Sequence, residues 1–471
     1  MPPRPRPKGE PARPTLAQVR SGWAWARAFP RRSLALVSRL WRTERRGAVL
    51  GLLVVLAAAL VLALLGADGQ TIWEILATLG LCALVVTVSA DHRTSGAVVV
   101  TVLSLSLIGT LAGPRWTPEP LAEPMVPSTA DTTIGGETTT AAVGSYRIET
   151  STVTITQADG EQVPALLRRP VGVTAPTPGV VFLHGAGTHD IHGFSSQAEA
   201  LSSAGATTLV PSKPMEDYSL ASRDYRAMAA DYQRSVDYLI ALDGVDAARV
   251  GLYAESEGTI PGAVLTAVDE RIAFLVMASA PVVRLREQMA LAMDSYMRNV
   301  GVPDPVLVLI PRLLGSARVP GGGFEYADFD SVPYLERITV PVLMVYGTSD
   351  ASMPLVQGPA TVWRALQRSG NDALTVRYYD GANHGLRVGS SADGDLARWV
   401  TGLPDTADAA PHVAGATPTQ TYWARAPEST RWYASGDLML AAFVLGFGLL
   451  ALAAVLWAAG QAPRLRGRRS V

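Results

Sequence analysis

The sequence predicts an α/β fold, a mostly parallel sheet flanked by helices, set between hydrophobic segments at both ends of the chain. Three observations predict it. Between about residues 145 and 404, short apolar runs alternate with longer stretches patterned at three- to four-residue spacing, as strands and helices laid down in turn would be. The apolar runs are continuous, as in strands covered on both faces. Outside this module lie four apolar runs of near-membrane length, and mean hydropathy is +0.20, high for a purely soluble protein.

The module opens with Tyr-Arg-Ile-Glu-Thr-Ser-Thr-Val-Thr-Ile-Thr over 146–156, an alternating strand pattern. Residues 163–168 supply its partner, and Gly-Val-Val-Phe-Leu over 179–183 is a buried strand. A helix is predicted over 194–204 and a strand over 206–210. A long helix follows over 223–243, where Tyr225, Met228, Tyr232, Val236 and Leu239 share one face. Further strands fall at 249–254, 273–278, 341–346 and 373–379, with a helix over 358–368. Region 282–335 reads as an insertion in which Met289, Met293 and Met297 form a helical stripe, followed by apolar residues 306–314 and glycines 321–323. It fits a helical lid, which would help to bind an apolar acyl chain. The stripe would equally serve to pack onto the core.

The apolar runs cover roughly 48–66, 72–90, 96–113 and 437–459, each close to the ~20 residues a helix needs to cross the hydrocarbon layer. The long basic leader and the absence of a small-residue cleavage site favour a retained anchor over a removed signal peptide. Residues 1–47 hold twelve Lys and Arg against two acids, and Arg464, Arg466, Arg468 and Arg469 have no acid among them in 460–471. The positive-inside tendency then puts both tails in the cytoplasm and the module outside it. The short loop Asp91-His92-Arg93 falls inside and the loop at Asp68 outside, while Trp116, Trp423, Trp432 and Tyr433 suit the outer interface. Residues 114–144 and 405–436, rich in Pro and Thr, read as exposed linkers. The net charge of −1 hides this basic-tail asymmetry, which is a topology signal and gives no reason to expect nucleic acid. The single cysteine, Cys82, excludes an intramolecular disulfide framework. The scarcity of lysine, with only Lys8 and Lys213, is that of a GC-rich bacterial sequence.

Nucleophilic hydrolysis by serine needs an exposed hydroxyl, a base, a carboxylate to orient that base, and backbone N–H groups for the oxyanion. Ser256 lies in Ala254-Glu-Ser-Glu-Gly258, between an apolar strand and a helix-compatible stretch. A nucleophile on a strained turn needs small residues two positions away on each side; here they are Ala254, not the usual glycine, and Gly258. Pro261 is tolerable in the first turn of the helix that follows. Asp350 closes a strand, and His384 sits between glycines at Gly381 and Gly385 after the last strand. Asp380, four residues before the histidine, is a poorer carboxylate. Ser256, Asp350 and His384 are the candidate catalytic residues. The segment His184-Gly185-Ala186-Gly187 follows a buried strand and supplies a candidate oxyanion hole: the N–H groups of Ala186 and Glu257, with His184, Gly185 and Gly187 at the substrate. The group His184, His189, Asp190 and His192 has no zinc-site spacing, so no metal and no cofactor is expected.

These residues resemble an α/β-hydrolase. Val180-Val-Phe-Leu-His-Gly-Ala-Gly, Arg249-Val-Gly-Leu-Tyr-Ala-Glu-Ser-Glu-Gly, Pro341-Val-Leu-Met-Val-Tyr-Gly-Thr-Ser-Asp and Asn383-His-Gly look like bacterial serine esterases and dienelactone-hydrolase-like or prolyl-oligopeptidase-like domains. The stretch Ala273 to Pro281 is similar to the strand after their elbow. The resemblance covers about 260 residues and implies that fold and a Ser-Asp-His triad in that chain order. Glu255 stands where His is common and Thr259 where a second Gly is frequent, which alters the pocket without removing a catalytic group. The expected function is a membrane-anchored serine hydrolase acting through an acyl-enzyme on an extracytoplasmic carboxylic ester, a small molecule or a lipid acyl ester, with the lipid bilayer as its other partner. Acyl transfer to an envelope acceptor, peptide cleavage, and an inactive hydrolase fold used for envelope assembly are the alternatives.

Overall fold

The computed structural model describes residues 119–425 except 122–124, 217, 221, 303–323, 387–389 and 421, together with 448 and 451. The chain divides into two compact units, and the one spanning 112–441 carries every element below. The expected spans at 48–66, 72–90, 96–113 and 437–459, both basic tails and the middle of the expected lid lie outside the described residues, save positions 448 and 451. Among the described residues no helix is long and apolar enough to cross a membrane.

Nine strands form one sheet: β1 Arg147–Thr156, β2 Gln162–Val171, β3 Thr177–Leu183, β4 Thr207–Pro211, β5 Val245–Glu255, β6 Leu275–Ala278, β7 Val342–Gly347, β8 Leu374–Tyr379 and β9 Val413–Gly415. Their spatial order is β1-β2-β4-β3-β5-β6-β7-β8-β9. The β1–β2 and β2–β4 pairs are antiparallel, and from β4 onward every pair is parallel. The helices are α1 Ser195–Ser203, α2 Tyr225–Ile240, α3 Thr259–Val268, α4 Leu285–Asn299, α5 Val332–Leu335, α6 Gln357–Arg368 and α7 Ser390–Gly402.

The continuous apolar strands need cover on both faces, and two core clusters provide it. Alternate residues of one strand go to opposite sides: Val181, Leu183, Leu252 and Ala254 join α2, α3 and α6, whereas Val180, Phe182 and Tyr253 join α1 and α7. α2 starts where the Asp224 carboxylate accepts the N–H groups of Arg226 and Ala227, supplying partners for donors that the first turn leaves open. Its face of Tyr225, Met228, Tyr232, Val236 and Leu239 is buried, at the spacing read from the sequence.

After β3 the chain crosses to β4 on one side, and then to β5 on the other. Such a reversal opens a crevice at the carboxyl ends of β3 and β5, where ligands bind in parallel sheets.

Two parts of the sequence reading need amending. The segments expected as exposed linkers are partly packed. Thr129 and Val413 carbonyls accept Gly415 and Ser128 N–H groups, Ile134 and Ala424 are buried, and Arg377, fully buried, donates to the carbonyls of Thr132 and Pro411. These stretches cover the β8 edge, a row of unpaired backbone groups that would otherwise be exposed. In α4, the Met289 side chain is 40% exposed while Leu285, Ala290 and Leu291 face inward, so the methionine stripe is not the buried face of that helix.

Trp399 of α7 is fully buried and meets Phe274 edge to face at 5.9 Å. Trp399→Ala is expected to cost about 3–5 kcal/mol, as large-to-small core changes do, read as a lower urea midpoint in equilibrium unfolding.

Candidate active site

β5 runs directly into a one-turn 3-10 segment, Ser256–Gly258, and then α3. Ser256 has φ 53°, a left-handed conformation that costs a non-glycine residue on the order of 1–3 kcal/mol and persists only where the surroundings impose it. Here β5 is clamped between β3 and β6, and the turn is pressed onto β3. A Cβ on Gly258 would lie 2.6 Å from the Leu183 carbonyl oxygen, so only glycine fits two residues after the serine. Ala254, two residues before it, is accommodated fully buried.

The serine hydroxyl thus stands at the crevice. Ser256 Oγ lies 2.9 Å from His384 Nε2, and His384 Nδ1 lies 2.8 Å from Asp350 Oδ2. With Nδ1 facing a carboxylate, the proton belongs there and Nε2 accepts from the serine. Asp350 is buried in the turn that follows β7. Its Oδ1 accepts the Ser352 N–H at 2.9 Å and hydroxyl at 2.5 Å, so both carboxylate oxygens are occupied. The histidine loop is fixed in turn: Ser279 Oγ donates to the His384 carbonyl at 2.8 Å.

The imidazole feels two opposing influences. Burial, the larger single influence, disfavours its cation. The hydrogen bond and charge of Asp350, helped by Glu255, together outweigh burial and raise His384 above its ordinary 6.5.

The segment after β3 lies against the elbow: a methyl on Gly185 would come within 3.0 Å of Ser256 Cβ. Ala186 and Gly187 are exposed just beyond it. The N–H groups of Ala186 and Glu257 therefore belong to the two chain segments that flank Ser256.

The Glu257 side chain turns away from the crevice into the protein, where it is 3% exposed. Its carboxylate accepts from Tyr218 at 2.7 Å, from Tyr225 at 2.6 Å, and from Arg223. Lys213 Nζ stands 3.7 Å from the same carboxylate. It also donates to the Gly185 carbonyl at 2.7 Å and sits 3.5 Å from the Tyr218 ring centroid. Arg223 lies between the rings of Tyr218 and Tyr326, 4.5 Å from each.

His184 is not at the site mouth, where the sequence reading put it. It is fully buried against Phe194, with Nε2 2.7 Å from the Pro211 carbonyl oxygen. Burial lowers its value to about 4, so it is a neutral core group. Of its neighbours, Asp190 Oδ1 accepts the His192 N–H at 2.7 Å. A polar cavity of about 360 Å³ opens beside the Asp350 loop, lined by Asp350, Asp294, Arg298, Gln420 and Tyr422 among others but not by Ser256.

Sequence reasoning missed Ser352, Ser279 and the groups around Glu257. Only Lys213 carried a signal, as one of two lysines in the chain and the only one in the module.

Residues 314–401 match the model of the prolyl oligopeptidase family, a stretch that contains Asp350 and His384. The chain is a serine hydrolase with the α/β-hydrolase fold. Among solved structures, an esterase from Pyrobaculum calidifontis is similar at 18% identity and TM-score 0.41, over 55% of this chain and 86% of that one. Est1E from Butyrivibrio proteoclasticus is similar at 18% identity and TM-score 0.38, over 53% and 96%. An esterase domain of a Rhodothermus marinus protein is similar at 17% identity and TM-score 0.37, over 54% and 96%. No curated protein matches the sequence.

A base must be neutral to accept a proton. For an activated ester, kcat/KM is expected to fall as pH drops through a value above 6.5, His384's ordinary one. Asp350→Asn is expected to lower kcat by about 10⁴-fold, because the amide turns the imidazole to the wrong tautomer. The linkage has the opposite sense: a raised folded value contributes stability that is fully present below pH 6.5 and is lost as pH rises through the folded value. Pre-steady-state rates and unfolding midpoints across pH check the two limbs.

Proposed function

We propose that this chain is a membrane-anchored carboxylic ester hydrolase whose module works outside the cytoplasmic membrane. The observation that carries the ester-cleaving chemistry is the continuous line Ser256 Oγ, His384 Nε2, His384 Nδ1, Asp350 Oδ2, with contacts of 2.9 and 2.8 Å. In this reading Ser256 Oγ attacks the ester carbonyl as His384 Nε2 takes its proton. The oxyanion is met by the N–H groups of Ala186 and Glu257. His384 then gives the proton to the leaving alcohol, and an acyl-Ser256 ester remains. Water, deprotonated by the same nitrogen, releases the acid and frees the serine. Asp350 stays ionised throughout and holds the imidazolium.

The anchoring rests on the four apolar runs and on the agreement of every loop charge with one topology. The substrate is taken as a small or lipid-derived acyl ester because an enzyme tethered at a bilayer meets such compounds at high local concentration. The match to the prolyl oligopeptidase family over 314–401 favours a second reading, peptide cleavage by the same triad. Parallel assays on p-nitrophenyl esters and on peptides ending in an aminocoumarin amide separate the two, and an added alcohol acceptor reveals acyl transfer.

A fluorophosphonate serine probe is expected to label the wild-type chain and to leave Ser256→Ala unlabelled; equal labelling of both would reject Ser256 as the nucleophile. For the topology, protease added to intact cells stripped of outer layers is expected to cleave the module. Cleavage only in inverted vesicles would put it on the cytoplasmic side.

A further inference from the structure

The group of buried side chains around Glu257 touches both halves of the proposed oxyanion site. On one side, the residue that offers a backbone N–H to the oxyanion, Glu257, is pinned by its own carboxylate to Tyr218, Tyr225 and Arg223. On the other, Lys213, 3% exposed, donates to the carbonyl of Gly185 at 2.7 Å. That carbonyl and the N–H of Ala186 belong to one peptide unit. In a trans peptide the C=O and N–H lie in one plane and point in opposite directions. Fixing the oxygen therefore fixes the direction of the hydrogen.

We propose that Lys213 is a positioning residue for the oxyanion site, its buried ammonium gripping the Gly185 carbonyl so that the Ala186 N–H stays aimed at the substrate's carbonyl oxygen. The inference rests on the serine-hydrolase mechanism proposed above and adds one residue to it. A flexible glycine beside the donor is what makes such a grip necessary. A side chain at Gly185 would press on Ser256 Cβ and the Glu255 carbonyl at 3.0 Å, displacing the nucleophile, so the segment does without the stiffness a Cβ gives, and the lysine supplies it from behind. The ammonium is kept in this dry place by the Glu257 carboxylate and by the face of the Tyr218 ring. One buried ion pair thus links the two donors: Glu257 carries one N–H and anchors the lysine that orients the other.

The charged and titratable groups facing Lys213 are Glu257 from the elbow turn, Arg223 and Tyr218 from the segment before α2, and His184 at the end of β3. Burial, partly offset by Glu257 and reinforced by Arg223, brings the lysine down to about 8. Tyr218 is pushed well above its ordinary range by burial and by Glu257, and His184 is held at about 4. Lys213 is the member brought into the window between pH 7 and 10.

The test is Lys213→Met, which keeps the length and apolar packing of the side chain but cannot donate. Sites are counted first with the fluorophosphonate probe, so that turnover is expressed per reactive Ser256 and not per mass of protein. The expected result is a fall in kcat per site of roughly 10- to 100-fold, somewhat less than deletion of an oxyanion donor causes, with KM for a p-nitrophenyl ester within about threefold. A kcat per site within twofold of wild type, or a loss confined to thermal stability or to KM, overturns the proposal. If the variant does not fold, the wild type decides: its kcat is expected to decline as Lys213 loses its proton above about 8, and a flat plateau to pH 10 overturns the assignment. Wild type that neither labels nor turns over any ester or peptide would instead sink the hydrolase mechanism, a result distinct from either of these.

Discussion

A serine held at φ 53° cannot keep that conformation by itself, and much of the molecule is arranged to impose it. The left-handed turn lifts the hydroxyl off the end of β5 and sends the chain immediately into α3. β5 cannot relax because β3 and β6 hold it on both edges, and those strands cannot shift because helices cover both faces. The Gly258 position, against the Leu183 carbonyl, locks the turn to the strand that also delivers the oxyanion segment. Nucleophile and electrophile-binding backbone are thus held against each other where two strand ends meet.

The base and its carboxylate come from farther along the chain and depend on the same sheet. Asp350 follows the end of β7 by three residues and β8 leads to His384, and parallel register puts both loops on the side where β3 and β5 end. Each of the three triad members is then tied by a neighbour that takes no part in bond making: Asp350 by Ser352, His384 by Ser279, and the elbow by Gly258. Such outer contacts decide whether reacting atoms meet within a few tenths of an ångström, to which rates of this kind are very sensitive.

The sequence made the frame readable because its physics is local. Fully buried strands such as 179–183 and 341–346 show as short apolar runs, and the elbow, the aspartate and the histidine stand next to such runs in an order that one fold explains. Other parts could not be read this way. α7 begins Ser-Ser-Ala-Asp-Gly, with few apolar residues to mark it, and is held by the tertiary burial of Trp399. β9 is three residues long and is held by β8 on one side and by Ser128 and Thr129 on the other, none of them near it in the sequence. A histidine beside a glycine-rich turn looks like a ligand-facing group, whereas the burial of His184 depends on how the chain folds back to bring Phe194, ten residues on, and Pro211, at the end of β4, against it. The cluster at Glu257 draws Lys213, Tyr218, Arg223 and Tyr225 from a stretch without a motif. A glutamate after the nucleophile reads as a backbone donor and says nothing of where its carboxylate goes.

The packing of the flanking stretches has a mechanical side. Glu119 and Pro120 meet Tyr422 and Trp423 across a short bridge, with the Trp423 N–H donating to the Glu119 carbonyl and Arg425 within 3.4 Å of the Glu119 carboxylate. The two ends of the described module therefore lie side by side. Drawing the two ends apart would first have to open this bridge, one contact at a time, as a zipper opens.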